Sequence, residues 1–127
     1  STKVRVLANY YAGICYLQTG LYEEAIEYLS DFHSDDIILS SLALGCIGDA
    51  YMELEDMDNA IDYYEDAINN SSNDFTAPRF MMKLAMIHEI NEDYSDALDL
   101  YTDIKDNFKD SREANGIEKY ISRVETR

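Results

Sequence analysis

Three stretches of the chain align with one another without a gap: AGICYLQTGLYEEA at 12–25, IGDAYMELEDMDNA at 47–60 and LAMIHEINEDYSDA at 84–97. Each stretch ends in an alanine, and these residues, Ala25, Ala60 and Ala97, follow one another at intervals of 35 and 37 residues. A period of this length is typical of solenoids whose repeating unit is a pair of helices. The three stretches therefore predict three helical hairpins stacked side by side.

Small side chains recur at two positions of this repeat. One position lies early in each stretch, at Gly13, Gly48 and Ala85, and the other is the closing alanine. Two helices can cross closely only where no bulky substituent separates their axes. We therefore expect both positions to lie where the two helices of each hairpin cross.

Apolar residues at helical spacing extend on both sides of the three stretches. They predict helices at about 3–19, 22–33, 36–54, 57–70, 76–91, 94–108 and 111–126. The chain of 127 residues has only one proline and five glycines. So few turn-forming residues favour an all-α chain over one in which short strands alternate with turns.

These features resemble the tetratricopeptide repeat family. The family's first-helix aromatic corresponds to Tyr16 and Tyr51, and its later large residue corresponds to Leu29, Tyr64 and Tyr101. The resemblance implies a right-handed all-α solenoid in one domain, 1–127. Its repeats would span about 6–39, 41–74 and 78–110, and a capping helix would follow at 111–126.

The family usually has glycine in the turn inside each hairpin. Gly20 fits this position and can adopt the left-handed conformation that ends a helix. Glu55 and Glu92 take its place in the other two repeats. If they adopt a positive φ, the expected cost is about 1 kcal/mol each.

Polar residues mark two further helix starts. Thr76 is predicted to cap the fifth helix, whose first turn tolerates Pro78. Asp110 and Glu113 have the spacing of a capping box for the last helix. The polar linker 69–74 is expected to form a surface loop.

The charge of the chain restricts its partners. It has 10 lysines and arginines against 26 aspartates and glutamates, a formal net charge of −16. Such a surface repels phosphate backbones and anionic lipid headgroups, which disfavours nucleic acid and direct membrane contact. We therefore expect a protein or peptide partner.

The sequence predicts no catalytic residue, no cofactor and no metal site. His88 stands where the repeat places a core aromatic, and Cys15 and Cys46 are expected to be buried small hydrophobic residues. The acidic turns at 55–59 and 91–96 lack the alternating ligands and central glycine of a calcium loop. We therefore expect a protein that is not an enzyme.

In the family, function lies in a groove lined by the first helix of each repeat. The corresponding positions that we predict to contact a partner are Leu7, Tyr10, Tyr11, Ile14, Leu17, Leu42, Asp49, Met52, Arg79, Met82, Lys83, Met86 and Glu89. Gly45 and Cys46 fall on the same helix face. Only Arg79 and Lys83 match the clamp with which some members bind a C-terminal carboxylate, so we do not expect that mode of binding.

We therefore predict an interaction scaffold whose mostly apolar groove receives a hydrophobic helix or extended segment. The alternative is that the groove holds the protein's own N-terminal region or a second copy of the chain. The layout of the repeats and the segment 116–124 also resemble the periplasmic domains of single-span bacterial inner-membrane proteins beside the secretion translocon. That would imply a membrane anchor upstream and a role in secretion or envelope protein folding. A cytoplasmic location is the alternative.

Overall fold

The computed structural model describes residues 2–70 and 73–127. They form seven α-helices: α1 (Thr2–Gln18), α2 (Tyr22–Ser30), α3 (Ile37–Glu53), α4 (Met57–Asn69), α5 (Ala77–Ile90), α6 (Tyr94–Asn107) and α7 (Ile117–Glu125). The first six pack as three hairpins, α1–α2, α3–α4 and α5–α6, and α7 packs on α6. The chain is therefore an all-α solenoid, as predicted. None of the described helices combines the length and the hydrophobicity needed to cross a membrane.

The three hairpin turns share one geometry. Gly20, Glu55 and Glu92 adopt φ values of +83°, +60° and +62°. The amide after each of them donates to a carbonyl oxygen five residues back, from Leu21 to Tyr16 (2.9 Å), Asp56 to Tyr51 (2.9 Å) and Asp93 to His88 (2.8 Å). This is the Schellman motif that ends helices at a left-handed residue. The two glutamates thus take the glycine conformation.

The small residues lie at the hairpin crossings, as predicted. Ala25, Ala60 and Ala97 are completely buried. A Cβ atom on Gly13 would lie 2.6 Å from Cγ of Leu29, and one on Gly48 would lie 2.7 Å from Cε1 of Tyr64. Two carbon atoms cannot approach so closely. The large side chain of the second helix therefore fits only because the glycine of the first helix has no Cβ atom.

A further glycine joins the second hairpin to the third. The fully buried ring of Phe80, on α5, lies against the backbone of Gly45, on α3. A Cβ atom on Gly45 would lie 2.0 Å from Cζ of Phe80. Gly45 therefore belongs to the packing between repeats, although the sequence pattern places it on the groove face.

The last helix covers the end of the stack. Ile117, Ile121 and Val124 of α7 are buried in one cluster with Met81 of α5 and Tyr101 of α6. The prediction of an amphipathic cap is confirmed, but its predicted start at 111 is wrong, because residues 111–116 form turns. Gly116, with φ of +76°, precedes the first turn of α7.

Two predicted helix caps differ from the structure. No side-chain hydrogen bond caps α5 at Thr76. The Thr76 hydroxyl pairs instead with Asn73, whose Oδ1 accepts the amides of Phe75 (2.9 Å) and Thr76 (2.8 Å). The predicted capping box at 110–113 does not start a helix, since α7 begins seven residues after Asp110. In the predicted loop 69–74, residues 71 and 72 lie outside the described residues.

The two cysteines differ in burial. Cys46 is buried in the core between the first two hairpins. Burial raises the pKa of its thiol to about 11, so it stays protonated and unreactive at neutral pH. Cys15 is exposed. The prediction of burial is therefore correct for Cys46 and wrong for Cys15, which lies on the solvent side of α1.

Candidate functional site

A groove of about 470 Å³ runs along the C-terminal halves of the first helices. It is lined by residues of all three hairpins: Leu17, Tyr22, Asp49, Met52, Glu53, Tyr64, Lys83, Met86, Ile87 and Ile90. Its side chains are mainly apolar, and its charged groups are two carboxylates and one ammonium. The stacking of α1, α3 and α5 therefore creates one continuous inner surface.

The structure brings five of the predicted partner-contacting residues together in this groove. They are Leu17 from α1, Asp49 and Met52 from α3, and Lys83 and Met86 from α5. Met86 is 38% exposed and accessible to a partner. The contribution of these residues to binding stays a prediction.

The other eight predicted residues lie outside the groove lining. Tyr10 is in the core, 8% exposed and packed on the ring of Phe32. Ile14, Leu42 and Met82 are half-buried and pack against core clusters. Leu7, Tyr11 and Arg79 are exposed nearer the N-terminal ends of α1 and α5, and Glu89 is bound within the fold as described below. Cys46 and Gly45 are buried.

Asp49 connects three helices at the floor of the groove. Its Oδ1 accepts hydrogen bonds from the Tyr64 hydroxyl on α4 and from Nζ of Lys83 on α5, the latter at 2.7 Å. Burial raises the pKa of Tyr64, and the Asp49 carboxylate raises it further. Tyr64 therefore remains a hydrogen-bond donor, and the Lys83 charge is balanced by Asp49 before any partner arrives.

Glu89 makes a similar connection one repeat further on. It accepts a hydrogen bond from the Tyr101 hydroxyl on α6 (2.6 Å) and forms a bidentate ion pair with Arg123 on α7. The hydrogen bond from Arg123 is the main cause that lowers the pKa of Glu89. In each network, one carboxylate accepts hydrogen bonds from two side chains. One is a tyrosine on the second helix of the same hairpin, and the other is a basic residue 34 positions later in the sequence. We call these networks the Asp49 latch and the Glu89 latch.

Most of the exposed large hydrophobic side chains lie on the first helices of the hairpins. Among the described residues they are Val4, Leu7, Tyr11, Leu21, Ile37, Ile38, Phe75, Met86 and Ile90. All but Leu21 and Phe75 belong to α1, α3 or α5, and those two lie in the segments that precede α2 and α5. The first helices therefore carry apolar surface that the fold itself does not bury.

Two sequence models described as tetratricopeptide repeat match the chain, one over residues 7–35 and one over residues 43–74. The matched segments coincide with most of the first and second hairpins. The first two hairpins are therefore tetratricopeptide repeats. No curated protein matches it. Tetratricopeptide repeats typically act as non-enzymatic scaffolds that bind protein or peptide partners.

The third hairpin has the same construction as the two matched repeats. Its turn at Glu92 repeats the hydrogen bonds of the turns at Gly20 and Glu55. Ala97 is fully buried like its counterparts, and Tyr101 occupies the place of Tyr64. The hairpin geometry of the two matched repeats therefore continues through α5 and α6.

Five residues that line the groove were not predicted from the sequence: Tyr22, Glu53, Tyr64, Ile87 and Ile90. Glu53 and Ile90 follow the predicted Asp49 and Met86 by four residues, so they lie one turn further along the same helix face. Extending the family's groove positions by one turn could have found both. Tyr22 begins the second helix of its hairpin, and no repeat signal indicates that it reaches the groove.

The structure also brings three metal-ligating residues together outside the groove. One ligand atom from each of His88, Asp93 and Asp96 lies within 4.8 Å of the other two. The side chain of His88 is 15% exposed, which agrees with the packed position that the sequence pattern predicts. This cluster was not predicted from sequence, because the repeat pattern does not show that His88 turns toward the start of α6.

Proposed function

We propose that this protein is an interaction scaffold whose inner groove binds an apolar helix or extended segment of a protein partner. The observation that carries the proposal is the mainly apolar lining of a groove built from all three hairpins, in which Met86 and Ile90 are exposed. Large contiguous apolar patches on a soluble surface commonly mark interaction sites. Two methionines at the groove, Met52 and Met86, give it a flexible lining that can adapt to a helix face.

The charges of the groove support a partner segment that also carries basic residues. Lys83 is paired with Asp49 at 2.7 Å, so it offers little positive charge to a ligand. Glu53 is exposed at the groove edge and takes part in none of the described ion pairs. The net charge of −16 favours basic over acidic partners at long range. We therefore infer an amphipathic segment with an apolar face bordered by lysine or arginine.

A pair of matched variants tests the groove. Met86→Lys removes apolar groove surface and adds a positive charge that repels a basic partner. Ile37→Lys makes the same change of charge at a site that is 59% exposed and does not line the groove. Loss of one buried methionine contact and the added repulsion should weaken binding at least about tenfold. In a pull-down from extract, Met86→Lys should lose the partners that the parent and Ile37→Lys retain.

Met86 suits this test better than two other predicted groove residues. Ile14 and Met82 pack against core clusters, so a charged substitution there would destabilise the fold as well as the surface. Far-ultraviolet circular dichroism of Met86→Lys should match that of the parent. Equal capture by both lysine variants would place the interaction surface elsewhere.

Self-association is the second candidate, and exposed residues of α1 favour it. Val4, Leu7 and Tyr11 lie on α1 at a spacing that places them on one face, and all three are exposed. Either a second copy or the protein's own upstream region could cover this face. Light scattering over a range of concentrations tests the second copy. A dimer that Leu7→Lys converts to a monomer would favour self-assembly over a separate partner.

The cellular setting is a further proposal, and it rests on the resemblance of the repeat layout and of the segment 116–124 to periplasmic domains beside the secretion translocon. It would make the scaffold an accessory factor in protein secretion or envelope protein folding. Protease protection of the full-length protein in intact cells and in spheroplasts tests it. Cleavage of the repeat domain only after the outer membrane is opened would support a periplasmic location.

A further inference from the structure

We propose that His88, Asp93 and Asp96 form a binding site for a divalent transition metal ion of the Zn²⁺ class on the third hairpin. One ligand atom of each residue lies within 4.8 Å of the other two. Nδ1 of His88 is 3.9 Å from a carboxylate oxygen of Asp93. Ligand atoms bound at about 2.1 Å to a tetrahedral zinc ion are about 3.4 Å apart, so the side chains must close by roughly 0.5–1.4 Å around the ion.

The histidine nitrogen is the strongest part of the argument. Nδ1 of His88 is buried and has no hydrogen-bond partner among the described residues. The side chain as a whole is 15% exposed. Buried polar atoms in folded proteins nearly always have a partner. A metal ion between the imidazole and the two carboxylates would provide one.

Asp93 supplies a second, independent observation. It occupies the N-cap position of α6, but its side chain makes no capping hydrogen bond. The corresponding Asp56 does cap α4, because its Oδ1 accepts the amide of Asn59 at 3.2 Å. The Asp93 carboxylate is directed toward His88 instead of the helix amides. Asp96, in the first turn of α6, completes the set.

The donor atoms favour zinc over calcium or magnesium. One imidazole nitrogen and two carboxylates match the three protein ligands and one water that zinc accepts in open sites. Calcium takes six to eight oxygen ligands, and magnesium prefers six in a strict octahedron. Asp93 and Asp96 are exposed, so both can adjust their rotamers around an ion.

A cavity of about 440 Å³ borders two of the three proposed ligands. It is bounded by α4, α5 and α6, and His88, Asp96 and Asp99 are among its lining residues. None of its lining residues lines the inner groove. A metal ion here would join the end of α5 to the start of α6 and leave the groove unobstructed.

Isothermal titration of the whole chain with Zn²⁺ at physiological salt is the direct test. We expect one saturable site per chain and a rise in melting temperature when it is filled. Loss of a supporting residue at a metal site typically lowers affinity by about 10–100-fold. Asp96→Asn, which removes a ligand at an exposed position, should therefore weaken Zn²⁺ binding at least about tenfold. Asp99→Asn makes the same charge change one turn away and should keep the affinity of the parent.

The two histidines provide a second comparison, since the chain has only His33 and His88. His88→Gln should abolish the Zn²⁺-dependent rise in melting temperature, whereas His33→Gln should retain it. Should His88→Gln fail to fold, Asp96→Asn still tests the site. Equal losses in the Asp96 and Asp99 variants, or equally tight binding of Ca²⁺, would mean diffuse attraction to an acidic surface and would overturn the proposal.

Discussion

Glu55 and Glu92 hold the left-handed positions of two hairpin turns, where a side chain costs energy that glycine would not. Their φ values of +60° and +62° agree with the turn hydrogen bonds found at Gly20. The turn is therefore determined by the packing of the two helices on either side. The identity of the turn residue affects stability and does not change the geometry.

Glycine at these turns should stabilise the protein. Glu55→Gly and Glu92→Gly should each raise the free energy of unfolding by about 1 kcal/mol, because they remove the left-handed strain. Urea denaturation measures the difference. Glu53→Gly is the matched control, because the same change inside the last turn of α3 should lower stability by about 0.5–1 kcal/mol. A loss of stability at Glu55 would contradict the turn geometry.

Gly45 should be intolerant of even a methyl group. A Cβ atom there would lie 2.0 Å from Cζ of Phe80, and Phe80 is fully buried between the second and third repeats. Gly45→Ala should therefore cost about 1–3 kcal/mol through overpacking, despite the better helix propensity of alanine. In a Phe80→Ala background the same change should cost less, since the two residues are in contact. Equal costs in both backgrounds would contradict this contact.

At the scale of the elements, patterns within one repeat are predictable from sequence and contacts between repeats are not. Gly13 and Gly48 each contact a large residue 16 positions later in the same hairpin, Leu29 and Tyr64, so the repeat itself reveals them. From its sequence position alone, Asp49 is predicted to be an unpaired carboxylate in the groove. Its partner Lys83 is 34 residues away on another hairpin, and no local pattern encodes that pairing.

The start of α7 is also not predictable from the local sequence. Asp110 and Glu113 carry a capping signature, but the helix begins at Ile117 after the left-handed Gly116. Ser111 organises the intervening turn, because its hydroxyl donates to the carbonyl oxygen of Phe108 at 2.6 Å. The burial of Ile117, Ile121 and Val124 against α5 and α6 therefore determines where the cap begins.

The Glu89 latch should hold this cap in place. Arg123→Gln removes the ion pair to a carboxylate whose side chain is only 14% exposed. Since Arg123 itself is 44% exposed, solvent screening limits the expected loss to about 1 kcal/mol at pH 7. Thermal unfolding measures it. Lys109→Gln, the same loss of charge at an exposed site outside the described ion pairs, should have little effect.

The effect of Arg123→Gln should depend on pH in a defined direction. Folding lowers the pKa of Glu89 below its ordinary value of 4.5. Such a group stabilises the fold fully above the unfolded-state pKa, and this contribution disappears as the pH falls through the folded-state pKa. The stability difference between the parent and Arg123→Gln should therefore be constant near neutral pH and shrink below about pH 4.5. A difference that grows on acidification would contradict the latch.

At the scale of the whole molecule, the fold concentrates its unsatisfied apolar surface on the first helices. Tyr64 and Tyr101, on the second helices, donate to carboxylates that connect the second hairpin to the third and the third hairpin to α7. Core packing and the two latches thus connect the helices that carry the inner surface before a partner binds. A preformed surface loses little conformational freedom on binding, which favours affinity.

The most direct test of the central claim measures whether this groove binds an apolar segment with basic residues. Fluorescence anisotropy would follow a labelled amphipathic leucine–lysine peptide and a leucine–glutamate peptide of the same pattern. We predict that the lysine peptide binds the parent at least about tenfold more tightly than the glutamate peptide. Met86→Lys should remove most of that affinity and Ile37→Lys should preserve it. Equal affinities for both peptides, or equal losses in both variants, would contradict the proposed groove.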